Sequence, residues 1–197
     1  MAISISNAGA SVIGVDLASG RWAAATNDNW TLGYEFSIDS QQTVDGLGFW
    51  DADGKFNTTN VGLWDTNGTL LGQVDSASTV DTFATGNGRG YWNFIDFDYT
   101  LAAGDYVVGA WGDGMEYTYS SGGTITESIL EFQDGREKAG GYFQFPDNEY
   151  CGNCKGIFGA NIRFAEVVNV PEPGSFALLG VGVVGIFLSR KKKSRLG

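Results

Sequence analysis

Between residues 32 and 38 the chain reads Leu-Gly-Tyr-Glu-Phe-Ser-Ile. Leu32, Tyr34, Phe36 and Ile38 are large and apolar, whereas Gly33, Glu35 and Ser37 are small or polar. Successive side chains of a strand point to opposite faces, so this period of two fits a strand with one face on a core. The pattern recurs between turn residues and predicts strands over 30–38, 43–50, 60–64, 69–74, 90–98, 106–111, 124–132 and 156–165. A helical alternative exists around 127–132, and no convincing amphipathic helix precedes residue 173. Asp65-Thr66-Asn67-Gly68 separates two apolar runs, and Asn-Gly is a strong hairpin signal because both residues accept positive φ. On this pattern, residues 1–169 form one all-β domain, an antiparallel jelly-roll-like β-sandwich.

Composition agrees. Thirty glycines and 27 aromatic residues in 197 suit tight turns and a packed interior, and the aromatic content excludes disorder. There is no histidine, which removes Ser-His-Asp and Cys-His catalytic arrangements and histidine-ligated zinc. The expectation is a protein that is not an enzyme.

The last 28 residues differ from the rest. Val170-Pro171-Glu172-Pro173-Gly174 leads into Ser175 and an uncharged apolar run from Phe176 to Leu188. Arg190, Lys191, Lys192, Lys193 and Arg195 close the chain. The apolar run of 13 residues makes a helix about 20 Å long against a hydrocarbon core of about 30 Å. Residues 175–189 are thus expected to form a single, marginal transmembrane helix and a transient membrane anchor, with 190–197 as a basic stop on the cytoplasmic side. The chain carries 12 basic and 23 acidic residues, and five of the basic ones lie in 190–195. Residues 1–170 then hold 7 basic against 22 acidic residues, a net charge of −15. An acidic body of this kind is expected to avoid nucleic acid.

The order of proline motif, short span and basic end resembles the PEP-CTERM sorting signal of bacterial exported proteins, with residues 170–197 as the sorting region. The resemblance implies exosortase as a partner, membrane anchorage before processing, and then residence at the cell surface or in the extracellular matrix. Members are typically found in bacteria that make exopolysaccharide, and exopolysaccharide is therefore a candidate partner. The chain departs from the family pattern at its start, where Met1–Ser6 has neither a basic nor an apolar signal region. A missing upstream segment is the favoured reading. Val61-Gly62-Leu63-Trp64-Asp65 and Phe158–Phe164 look like a β-sandwich domain of undetermined role found in other PEP-CTERM proteins. A structural or adhesive surface component is the first functional expectation, and a calcium-assisted carbohydrate-binding module is the alternative.

Three sets of side chains are candidates for chemistry. Cys151 and Cys154 are the only cysteines, and an exported location favours a disulfide across this small loop. Asp51, Asp53 and Asn57 surround a glycine turn and could offer oxygen ligands to calcium, with Asp28, Asp65, Asp113 and Glu116 as further carboxylates. A plain acidic turn explains the same residues, and no cofactor is otherwise expected. Among six tryptophans, Trp92 is out of phase with Tyr91 and Ile95, and Trp111 abuts the loop 112–114. These two are expected to be exposed and are the candidates for stacking on sugar rings.

Overall fold

A computed structural model describes residues 11–19, 22–27, 29–54, 59–76, 80–120, 123–150 and 157–165. The sequence places sixteen strands there. They are β1 (Val12–Ile13), β2 (Val15–Ser19), β3 (Trp22–Asn27), β4 (Trp30–Ile38), β5 (Gln42–Asp51), β6 (Thr59–Asp65), β7 (Leu70–Asp75) and β8 (Val80–Ala84). There follow β9 (Tyr91–Leu101), β10 (Gly104–Gly112), β11 (Met115–Ser120), β12 (Thr124–Glu127), β13 (Glu131–Ala139), β14 (Asn148–Glu149), β15 (Ile157–Phe158) and β16 (Ala160–Phe164). No helix occurs among the described residues, and none there is long and apolar enough to cross a membrane. The span expected over 175–189 lies outside them.

Two antiparallel sheets form the jelly-roll-like sandwich. One has the order β1-β16-β5-β9-β8 and the other β14-β13-β4-β10-β6-β7. Smaller sheets, β15-β11-β3 and β12-β2, accompany them. The core follows the alternation read from β4: Leu32, Tyr34, Phe36 and Ile38 are all buried. They share one cluster with Val61, Leu63, Val108 and Ala110 of their own sheet and with Val44, Leu47, Phe49 and Ile162 of the other. Tyr34 meets Phe158 edge-on with ring centroids 5.6 Å apart, a favourable aromatic geometry. Asn161 of β16 is a buried polar joint. Its Oδ1 accepts from the Tyr34 hydroxyl at 2.9 Å, and its Nδ2 donates to the Val15 carbonyl at 2.6 Å.

Glycines let bulky groups lie on the outer faces. Gly33, Gly109 and Gly62 stand in register across β4, β10 and β6. A Cβ at Gly62 would come within 2.5 Å of Phe143 and 2.6 Å of Trp64. Trp64 instead lies over the bare backbone beneath Phe143 and Phe145, at centroid distances of 5.2 and 6.1 Å. Pro146 reaches Gly109 in the same way. The non-strand segment 140–147 is therefore an aromatic strap over the six-stranded sheet.

The strand expected over 124–132 is corrected to two. A bend at 128–130 separates β12, which pairs with β2, from β13, which pairs with β4. The Ser128 hydroxyl donates to the Ile13 carbonyl at 2.7 Å and fixes that bend to β1. The hairpin expected at Asn67-Gly68 is present. Asp65 Oδ1 accepts from the N–H of Asn67 and of Thr69, and Gly68 takes φ +86°, a value that favours glycine. Those hydrogen bonds, the one from Thr69 first, hold the Asp65 carboxyl below its ordinary pKa.

Candidate functional site

Two charged constellations are built on the five-stranded sheet. The first surrounds Arg163 of β16, which is buried. Gly46 lies opposite it on β5, and a Cβ there would stand 2.9 Å from the Arg163 Nε. The guanidinium therefore lies across the strand. It donates to Asp45 Oδ1 at 2.7 Å, Asp81 Oδ2 at 2.9 Å and Asp96 Oδ1 at 3.2 Å, with a fourth bond to the Asp45 carbonyl at 3.2 Å. Its carbon sits 5.5 Å from the centroid of Phe94. Burial alone would lower its pKa, and the three carboxylates reverse this and hold it above the ordinary value. With its nitrogens committed to these carboxylates, this cation serves to cross-link β5, β8, β9 and β16 rather than to receive an anionic ligand.

The second constellation is at the far end of β5. Asp51 is 3 % exposed, and its Oδ1 accepts from the N–H of Asp53 at 2.9 Å and of Gly54 at 2.8 Å. This is an Asp-based turn, and Gly54 completes it at φ +78°. Glu116 of β11 reaches the same turn and accepts from the Ala52 N–H at 2.6 Å through Oε2. One carboxylate oxygen from each of Asp51, Asp53 and Glu116 lies within 4.8 Å of the others. The second oxygen of Asp51 is buried with no hydrogen-bond partner.

Ala52 also lines a cleft of about 200 Å³ together with Ala23, Ala24, Trp50, Arg89 and Thr118. The Trp50 Nε1 is a buried donor without a partner. The Thr118 hydroxyl donates to the Ala23 carbonyl at 3.1 Å and joins two of the cleft walls. The corner thus combines converging carboxylates with a small, mostly apolar hollow.

The structure redistributes the sequence candidates. Asp51 and Asp53 lie close together, and Asn57 lies outside the described residues. Of the further carboxylates, Glu116 joins them, whereas Asp65 caps its own hairpin and Asp113 is exposed in the β10–β11 turn. Asp28, like Cys151 and Cys154, lies outside the described residues, as do the sorting motif 170–173 and the basic residues 190–195. Trp92 is a correction: it is 0 % exposed and stands opposite Trp50 across β5–β9, so it cannot stack on a sugar. Its alternation with Tyr91 puts it on the other face of the strand, and it is the Trp92 side that packing covers, whereas Tyr91 stays exposed. Trp111 is half-buried, with its Nε1 enclosed and without a partner. Among the described residues, the exposed aromatics are instead Trp30, Phe83, Tyr91, Tyr119 and Tyr142. Trp30 carried a strand signal only, and Tyr142 lies in the strap, so neither stood out as a surface ring.

Among known proteins, no curated protein and no solved structure matches the chain. A family profile described as a PEP-CTERM protein-sorting motif matches residues 169–192. That motif marks an exported, membrane-associated precursor that exosortase processes for display at the cell surface. A second profile, described as a domain of unknown function (DUF4082), matches residues 18–153. This span holds the carboxylate corner and the cleft, and it ends before β16, the buried strand that completes the five-stranded sheet. The chain therefore belongs to the DUF4082 family, with a PEP-CTERM sorting motif following its sandwich domain.

Proposed function

We propose that the exported domain is a non-catalytic adhesive or structural component associated with exopolysaccharide at the cell surface. The observation that carries this reading is an aromatic corner on the outer surface. Trp30 is 39 % exposed and Tyr142 is 61 % exposed. The N–H groups of Gly140 and Gly141 both donate to the Asn29 carbonyl, which brings the strap carrying Tyr142 to the start of β4, where Trp30 lies. Flat, amphipathic rings with one face in water suit contact with sugar rings. The acidic body keeps such a domain soluble and discourages self-association while it waits for a neutral or cation-bridged polymer.

The test is retention on immobilised host polysaccharide. Replacing Trp30 and Tyr142 with Ala should lower retention at least fivefold while circular dichroism stays β-rich. No retention of the wild-type protein on any matrix polysaccharide overturns the association.

A second reading is a calcium-assisted carbohydrate-binding module, and the cleft beside Asp51, Asp53 and Glu116 favours it. Retention that is abolished by EDTA and by Ala24→Leu, which fills the cleft, supports the module over the aromatic corner. Retention that is insensitive to both supports the corner.

A further inference from the structure

We propose that Asp51, Asp53 and Glu116 hold a calcium ion that ties β5 of the sandwich to β11 of the three-stranded sheet. The site is the one on which the second reading above rests, but it needs no glycan, so ion binding without retention on polysaccharide separates this proposal from that reading. The donor set is three carboxylates without nitrogen or sulfur, which selects a hard cation. Among hard cations, calcium takes six to eight oxygens in a flexible geometry, whereas magnesium demands a near-ideal octahedron and keeps most of its waters, so a partly open set of three carboxylates suits calcium. The three carboxylate oxygens here lie within 4.8 Å of one another, close enough to share one ion.

The buried oxygen of Asp51 is the independent observation. A carboxylate oxygen shut away from water without a donor is costly, and a bound cation removes that cost. Two of the three ligands are also held in place before any ion arrives. Asp51 is fixed through Oδ1 by the N–H groups of Asp53 and Gly54, and Glu116 is fixed through Oε2 by the N–H of Ala52. Each keeps its other oxygen for a cation. Asp53 is exposed, which leaves an open side for the waters that complete six to eight ligands. A shared cation would strengthen the Glu116 contact with the Asp51–Gly54 turn. That contact joins residues 64 apart in the chain, so the ion would act as a cross-link between sheets.

Terbium luminescence tests the site, because Trp50 adjoins Asp51 in β5 and can sensitise a bound lanthanide. The full chain in neutral detergent is stripped with EDTA and titrated with terbium chloride, then with calcium chloride in competition. Saturable sensitised emission that calcium displaces is expected, together with a rise of several degrees in melting temperature in millimolar calcium. Glu116→Gln and Asp53→Asn, each with unchanged circular dichroism, should weaken terbium binding at least tenfold. Asp98→Asn, an exposed carboxylate outside the corner, should leave it unchanged. Absence of sensitised emission, or equal weakening by all three substitutions, overturns the proposal, since the latter describes diffuse binding to an acidic surface. Should either corner variant unfold, the other decides.

Discussion

Asn161 offers the sharpest test of how the sandwich is held. Its amide is fully buried and joins three strands: it bonds the Val15 carbonyl of β2 and the Tyr34 hydroxyl of β4 from its place in β16. A further bond, from the Val15 N–H, is long, at 3.3 Å, and adds little. Asn161→Ala strands the Tyr34 hydroxyl and the Val15 carbonyl in a dry interior, at roughly 1–3 kcal/mol for each unsatisfied group. We expect a loss of about 3 kcal/mol, a large share of the roughly 5–15 kcal/mol typical of a domain. With a urea m-value of about 2 kcal/mol/M, the midpoint should fall by roughly 1.5 M. Tyr34→Phe alone should cost only about 1 kcal/mol, because the Asn161 oxygen keeps the N–H of Ile162 at 2.9 Å. In the Asn161→Ala background the same change should be neutral or stabilising, because it removes the stranded hydroxyl. The assay is a double-mutant cycle by urea denaturation at pH 7 on a chain ending at Glu166. Tyr34 remains a protonated donor at that pH, since burial holds its pKa well above the ordinary value. If the two substitutions are additive within about 0.4 kcal/mol, the hydroxyl–amide bond does not contribute and the reasoning fails.

Two further outcomes follow from the hairpin and the tail. The depressed pKa of Asp65 means that its stabilising effect is present above the unfolded aspartate range and is lost as pH falls through the lower folded value. The stability difference between wild type and Asp65→Ala should therefore be full at neutral pH and vanish in strong acid, as read by urea melts across pH; a pH-independent difference would exclude the carboxylate. In a host with exosortase, mass spectrometry of the surface protein should find a C-terminus near residues 170–173, at the proline motif of the sorting signal. A mature product that still carries Arg190–Arg195 would make the tail a lasting anchor.

Local rules made much of this protein readable. The period of two in β4, the turn at Asp65–Thr69 and the proline–apolar–basic order of the tail are each decided within ten to thirty residues, so the sequence alone determined them. β13 escaped because Gln133–Lys138 is almost wholly polar and shows no alternation. Such a strand forms because β4 offers it a partner, not because its own pattern requires it. β3 escaped for a similar reason, since Ala23, Ala24 and Ala25 favour no strand on their own. The split of 124–132 depended on Ser128 finding the Ile13 carbonyl 115 residues away.

The site was legible in the same proportion. Asp51, Ala52, Asp53 and Gly54 form their turn through hydrogen bonds between neighbours, and the sequence announced it. Glu116 arrives from another sheet, and nothing near residue 116 distinguishes it from the other acids of the chain. The burial of Trp92 and the exposure of Trp30 were likewise decided by tertiary packing. Period two assigns a residue to one of two faces, but it cannot say which face a neighbouring sheet or strap will cover. Strand and turn are thus short-range properties written in the order of residues. Coverage and convergence of charge arise only when segments far apart in the chain are brought together.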